Sequence, residues 1–444
     1  MGQTPHDSAA PPAEDLHEDP AAPGLAAEEA DREPVPLLVP RDGVPAVIAS
    51  GAALAEAVAA LAAGTGPVAV DAERASGYRF SQRAYLVQLR RQGAGTFLID
   101  PIACPDLSSV NAVIADAEWV LHAANQDLPC LAEIGLRPTR LFDTELAGRL
   151  AHYERVGLGP LVERVLGYRL EKGHSAADWS TRPLPEPWLR YAALDVELLV
   201  ELRDALEATL AAQGKLEWAH EEFAAIVAAP PPPPREEPWR RTSGIHRLRS
   251  TRQLAAVRAL WQARDAIARR RDVAPGRVLP DSAIIAAVLA APATVEELAA
   301  LPVFSGPRMR RSAGTWFGAL RAAAALDAAE LPQQPRGTGD APPPGNRWAD
   351  RDPVAAGRLN RVRAAVAALA ERLDLPTENL CEPAVLRRLA WAPPTSTDAT
   401  SVATALARHG ARPWQVSLVA DGVAAALAEP PAAENDAEDA ATAG

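Results

Sequence analysis

The sequence predicts a mixed α/β domain followed by two small all-helical units, and three observations carry that expectation. Strand-like runs crowd together between residues 67 and 100, with separations too short for crossover helices. Prolines break the chain twice, at Pro230–Pro234 and along Asp327–Pro353. Between and after those breaks, apolar residues recur at helical spacing. At roughly 100–200 residues per domain, 444 residues accommodate such a division.

Residues 1–35 are acidic, with too little hydrophobicity to offset the entropy of ordering, and read as a disordered tail. Val44–Ser50 reads as a first short strand, after which Ser50 caps a helix rich in alanine and leucine, Ala52–Ala63. Pro67–Glu73 alternates Val68 and Val70 with Ala69 and Asp71, a strand period. Ala84–Leu89 and Thr96–Asp100 follow, joined by the turn R-R-Q-G-A-G, which gives a three-strand antiparallel meander. Glu118–His122 is a fourth strand after a helix, and helices are expected from Leu128 onward. A mixed sheet with an antiparallel edge and flanking helices, spanning 36–229, is the outcome. A proline-rich linker at 230–239, extended at about 3.1 Å per residue, leads to a helical unit at 240–326. A second linker, 327–354, precedes another helical unit at 355–428, and a disordered acidic tail follows at 429–444.

The net charge of −12 is not spread evenly. Nine acids in residues 1–35 against Arg32, and five unopposed acids in 429–444, leave +1 on residues 36–428. A polyanionic partner is therefore not excluded, because local charge decides that question. Lys172 and Lys215 are the only lysines among 45 basic residues, so arginine runs reflect a bias and count for less as phosphate-binding evidence. Cys104, Cys130 and Cys381 stand far apart with no C-x-x-C pair, which argues against a disulfide framework or a thiolate zinc site and fits a reducing cytosol. The longest apolar run, Ala283–Val295, has 13 residues and contains Pro292, too short to span a bilayer. The N-terminus shows no basic and apolar leader pattern. A cytoplasmic protein without a membrane partner is the expectation, with a monomer as the default.

Carboxylates carry the chemistry. Asp71-Ala72-Glu73 ends the best strand, and residues i and i+2 of a strand project to one face. Two like charges so close are unfavourable unless a cation neutralises them, although a solvated strand end would also suit a bare D-x-E. Tyr191 and Asp195 are four apart on a helix beginning near Pro187, beside Trp188, Ala192 and Leu199 on an apolar stripe. An acid there is either hydrogen-bonded to backbone or kept for function. Asp127, in H-A-A-N-Q-D, stands past the fourth strand at the head of a helix, where an Asp is also an ordinary starter. The ordered conjunction raises the weight of all three pieces. Four oxygen-rich carboxylates suit a pair of Mg²⁺ or Mn²⁺ ions, which about 3.5–4 Å apart can activate a water and stabilise the leaving oxygen of a phosphodiester.

These motifs resemble the DEDD superfamily of 3′→5′ exonucleases, in the subgroup with a tyrosine in the third motif. R-A-Y-L-V-Q-L-R-R, G-T-F-L-I-D-P, K-G-H-S-A-A-D-W-S-T-R-P-L and Y-A-A-L-D-V-E are similar to the bacterial ribonuclease D family over about residues 45–215. The resemblance implies an α/β ribonuclease H-like exonuclease domain followed by two all-α HRDC-like bundles. It implies that Asp71, Glu73 and Asp195 hold one metal, that Asp71 bridges to a second, and that Asp127 contributes mainly through water. Tyr191 would orient the attacking water. Ala72 stands where such proteins often have Thr, and Pro187-Trp188 replaces a more usual polar pair; neither removes a ligand. His122 at a strand end is a further site candidate or a core histidine. Trp179 and Arg182 are candidates for stacking on, and binding the phosphates of, an RNA 3′ end, or else a packing tryptophan and a surface arginine.

The unit at 240–326 holds 15 Arg against five acids, including Arg269, Arg270 and Arg271 and the cluster Arg308, Arg310 and Arg311. L-W-Q-A-R-D-A-I-A-R-R-R and L-P-D-S-A-I resemble an HRDC module, which implies nucleic-acid binding by a basic face. The unit at 355–428, eight Arg against six acids, resembles a second and more diverged HRDC-like module, open to packing or to RNA cradling. The resulting expectation is a metal-dependent 3′→5′ exoribonuclease that releases nucleoside 5′-monophosphates from tRNA precursors and other structured RNAs. A DNA-directed exonuclease of the same fold, and an RNA-binding protein without catalysis, are the alternatives. A helicase is excluded, since neither lysine lies in a G-x-x-x-x-G-K-S/T loop.

Overall fold

The computed structural model describes residues 33–171, 173–231, 233–333, 342–343 and 348–429. Residues 1–32 and 430–444 of the expected acidic tails (1–35 and 429–444), Lys172, Pro232, and residues 334–341 and 344–347 of the second linker lie outside the described residues.

A six-stranded mixed sheet forms the heart of the N-terminal unit. Its strands are β2 (Val47–Ile48), β3 (Thr65–Arg74), β4 (Ala84–Gln92), β5 (Gly95–Ile99), β6 (Glu118–Leu121) and β7 (Arg140–Asp143), in the order β2-β5-β4-β3-β6-β7. The β3-β4-β5 meander is antiparallel as expected, while β6 and β7 add in parallel and β2 pairs in parallel with β5. Ser50 caps the Gly51–Ala63 helix, accepting from the Ala53 amide.

Three differences from the sequence reading have physical causes. The turn expected at R-R-Q-G-A-G is shorter, because β4 runs on to Gln92 and the chain reverses over Gly93-Ala94. Gly93 and Gly95 take φ of +79° and +90°, conformations open to glycine at little cost, and Arg90 and Arg91 thereby remain in the ladder. β7 and the small parallel pair β1 (Val35–Leu37) with β8 (Tyr168–Leu170) were not expected. Four or three residues are too few to display a period, and pairing partners up to 133 residues distant leave no local trace. Val35 thus belongs to a strand, not to the tail drawn over 1–35.

Both linkers also end earlier than drawn. Trp239, placed in the linker 230–239, is 3% exposed in the core of the first helical unit, with Leu248, Leu260, Ile284, Phe304 and Trp316. Trp348, placed in the linker 327–354, is buried against Trp391 with ring centroids 4.9 Å apart, and Pro353 opens a 20-residue helix. Large aromatics in low-complexity surroundings find a core when one passes nearby.

The two helical units join the sheet domain differently. The first keeps its own core. The C-terminal unit shares one continuous core with the sheet domain, running from Leu61 and Phe142 through Phe223 to Leu389 and Val423. Trp414 stacks on Trp218 at 5.2 Å, its backbone N–H donates to Glu221 and its indole N–H to Glu222. The buried Lys215 ammonium donates to the carbonyls of Leu150 and Asp374, and His152 pairs with Asp374. Trp414→Ala should therefore cost about 3–5 kcal/mol. Calorimetry should show it lowering one transition shared by the sheet domain and C-terminal unit, with the first helical unit's transition unmoved.

Candidate active site

Backbone geometry brings the carboxylates together. Asp71 and Glu73 project from one face of β3, where register pairs them with Gln88 and Leu86 of β4. That face is covered by the Glu186–Glu197 helix, whose Ala192 and Ala193 pack on Leu86 and Leu98. The helix carries Tyr191 and Asp195. Its C-terminal end is pinned to the sheet by Glu197, fully buried, which meets the Arg90 guanidinium at 3.3 Å. Carboxylate oxygens of Asp71, Glu73 and Asp195 consequently lie within 4.8 Å of one another.

Asp127 is at the helix start that the sequence indicates, yet its side chain makes no capping hydrogen bond. It lies instead 3.5 Å from the Arg74 guanidinium and lines the same cleft as the three clustered acids. The turn that presents it is held by Asp143, a buried carboxylate that the sequence reading missed. Asp143 accepts from the amides of Ala123, Ala124, Glu145 and Leu146, and Ala123 there takes φ of +60°.

Burial dominates the electrostatics. It raises Asp71 to about 6 against the relief offered by Arg74. Asp127 rises to about 8, through burial first and the nearby Asp71 second. Glu73 and Asp195 are held well above the ordinary carboxylate range by burial and then by Asp71. Tyr191 is likewise pushed up by burial and by the neighbouring Asp195, so its phenol stays protonated beside that carboxylate. A cluster of hard oxygen donors that resist ionising together is the donor set a divalent cation requires. The residues present fit such ions.

The secondary candidates separate. His122 lines the cleft, its Nδ1 2.9 Å from the Thr144 hydroxyl, and burial lowers it to about 4, so it offers a neutral imidazole. Trp179 is a correction, because it is fully buried and cannot stack on a bound base. Its ring packs against Trp188 at 5.5 Å and Tyr191 at 6.4 Å, as backing for the tyrosine. Arg182 is exposed but engaged within the fold. Its guanidinium is committed to both oxygens of Asp100, at 2.7 and 2.8 Å, and to the carbonyls of Trp179, Thr181 and Tyr85. Asp100 stands 82 residues away in the chain, so nothing local announced that partner.

Among the helical-unit arginines, Arg269 pairs with Asp265 and lies over the Phe80 ring of the sheet domain. Arg270, Arg271, Arg308, Arg310 and Arg311 are exposed and make no hydrogen bond or ion pair among the described residues. None of them lines the cleft. That cleft, of about 2000 Å³, is walled instead by the four carboxylates and by residues 151–171, including Tyr153, Arg155 and Arg164. The sequence reading passed over this wall, which has no motif-like spacing. A cation beside the acids was legible in one place, Arg74 directly after D-x-E.

Residues 45–211 match the family described as 3′-5′ exonuclease, residues 253–320 the HRDC domain, and residues 341–427 the 3′ to 5′ exonuclease C-terminal domain. Ribonuclease D of Acidiphilium cryptum is 34% identical over 281 residues, covering 61% of this chain and 70% of that protein. Ribonuclease D of Escherichia coli K12 is 32% identical over 287 residues, covering 64% and 75%. Among solved structures, a protein from Bifidobacterium adolescentis superposes with a TM-score of 0.82 at 40% identity, over 89% of this chain and all of that one. Escherichia coli RNase D, described as an exoribonuclease involved in structured RNA processing, gives a TM-score of 0.63 at 26% identity, over 87% and 99%. On its motifs, its fold and these relatives, the chain belongs to the ribonuclease D family.

Proposed function

We infer that this protein is a metal-dependent 3′→5′ exoribonuclease that releases nucleoside 5′-monophosphates. The observation that carries the reading is the convergence of Asp71, Glu73 and Asp195 within 4.8 Å, in a cleft of about 2000 Å³, in a chain of this family. All four carboxylates and Tyr191 line that one cleft, so an RNA-binding protein without catalysis is not favoured.

Asp71, Glu73 and Asp195 would hold one divalent cation, and Asp71 with Asp127, the latter mainly through water, a second; Mg²⁺ or Mn²⁺ suits both. Such ions supply an acidified water as nucleophile and charge neutralisation at the leaving oxygen. Tyr191, protonated and beside Asp195, orients the attacking water. Arg155 and Arg164 line the cleft with no ion pair among the described residues, free to meet phosphates 5′ of the scissile bond. The exposed arginines at 270, 271, 308, 310 and 311 then hold the body of a structured RNA such as a tRNA precursor. This division of labour follows the domain limits drawn from the sequence, with Trp239 and Trp348 reassigned to the helical cores. Among the described residues, no helix is long and apolar enough to cross a membrane.

A 5′-labelled structured RNA with a single-stranded 3′ tail tests the activity. With Mg²⁺ or Mn²⁺ it should shorten stepwise from the 3′ end, and EDTA, Asp71→Ala or Asp195→Ala should abolish the ladder. Tyr191→Phe should slow it by about 10²-fold or more with KM little changed. Intact RNA under every metal condition, with binding retained, would overturn the enzymatic reading.

Thermal melts test the ions. Carboxyls whose values are raised on folding favour the folded state while protonated, so the metal-free protein loses that contribution as pH climbs through about 6 for Asp71 and about 8 for Asp127. A cation binds the ionised form, so its stabilisation grows over the same window. The rise in Tm on adding Mg²⁺ should be larger at pH 8 than at pH 6, and Asp195→Asn should flatten it.

A further inference from the structure

No residue of the first helical unit lines the cleft, yet that unit grips the loop that leaves the metal-binding strand. The loop, residues 75–83, begins one residue after Arg74 and ends where β4 starts. Asp272, in a left-handed conformation at φ +46° beyond the Thr251–Arg271 helix, accepts from the Ser81 amide at 2.9 Å and lies 3.7 Å from Arg83. The Ala274 amide donates to the Tyr78 carbonyl at 2.9 Å. Arg277 donates to the Gly77 carbonyl at 2.7 Å and lies over the Tyr78 ring at 4.0 Å.

The two aromatics of the loop face opposite ways. Phe80 packs on the core of the helical unit, under Arg269 at 5.0 Å. Tyr78 packs in the cluster that seats Tyr191, together with Trp179, Trp188 and Ala192. From the other side, Arg79 donates to the Ser180 hydroxyl at 2.7 Å, tying the loop to the segment that holds Trp179 and Arg182. A continuous path of contacts thus joins Asp272 and Arg277 to the seat of the tyrosine.

We propose that Asp272 and Arg277 are positioning residues for the reaction: by clamping the 75–83 loop, the first helical unit fixes the end of β3 and the aromatic seat of Tyr191. The proposal rests on the exoribonuclease reading and deepens it. The unit would contribute to turnover even of a substrate with no RNA body for its arginines to hold.

A diribonucleotide provides that substrate, since the cleft that receives it has no wall from residues 240–326. Steady-state turnover should be compared for the full-length protein and its Asp272→Ala, Arg277→Ala and Asp272→Asn variants with Mg²⁺. Small displacements of a reacting group cost up to about 10²-fold, so kcat should fall about tenfold or more in the two alanine variants while KM stays near the wild-type value. Asp272→Asn keeps an oxygen to accept from the Ser81 amide and should recover most of the rate. A circular-dichroism melt on each variant reports folding, and Arg277→Ala, at an exposed contact, serves if Asp272→Ala unfolds. Wild-type kcat on the diribonucleotide in both alanine variants would overturn the proposal. A wild-type protein that shortens no RNA would instead remove the activity itself, and the positioning role with it.

Discussion

Three carboxylates held within 4.8 Å of one another, in a partly buried cleft, set the terms for everything around them. Water would separate such charges, and burial penalises each of them further, which is why all are pushed toward their protonated forms. The fold must therefore hold them against their own repulsion until a cation arrives. It does so with rigid elements: the pleat of β3 fixes Asp71 and Glu73, and one helix turn relates Tyr191 to Asp195. The Arg90–Glu197 contact locks that helix to the sheet, and Arg74 shares the field of Asp127. Preorganisation of this kind places the work of assembly in folding, where a packed core offsets it, and not in the reaction step.

The outer parts follow the same logic in two styles. The C-terminal unit merges its core with the sheet domain through Trp414, Trp218 and Phe223, so it acts as part of the scaffold. The first helical unit keeps its own core, on which Phe80 of the 75–83 loop packs, and otherwise meets that loop through directional contacts. Apolar merging gives stability without much directional information. Hydrogen bonds and cation–π contacts from Asp272 and Arg277 give orientation.

What the sequence disclosed was whatever depends on short periods. Asp71 with Glu73, and Tyr191 with Asp195, could be read because i, i+2 in a strand and i, i+4 in a helix fix a shared face without any tertiary knowledge. Asp127 needed the conjunction of motifs, and the structure supplies a local reason: its side chain is not spent on capping. Trp179 and Arg182 stayed open between two roles, because an aromatic and a cation look alike in sequence whether they face substrate or core. Their partners, Trp188, Tyr191 and Asp100, are set by packing between distant segments. The same reason hid Asp143, the cleft wall at 151–171 and strands β1, β7 and β8. Each is defined by what it meets across the fold, not by its neighbours in the chain.

The central claim is that this acidic cluster is a metal centre, and anomalous diffraction from crystals grown with Mn²⁺ tests it most directly. Two manganese peaks about 3.5–4 Å apart, one ligated by Asp71, Glu73 and Asp195 and the other reached from Asp71 toward Asp127, are the expected result. Crystals that diffract well and show no manganese between these carboxylates would contradict it.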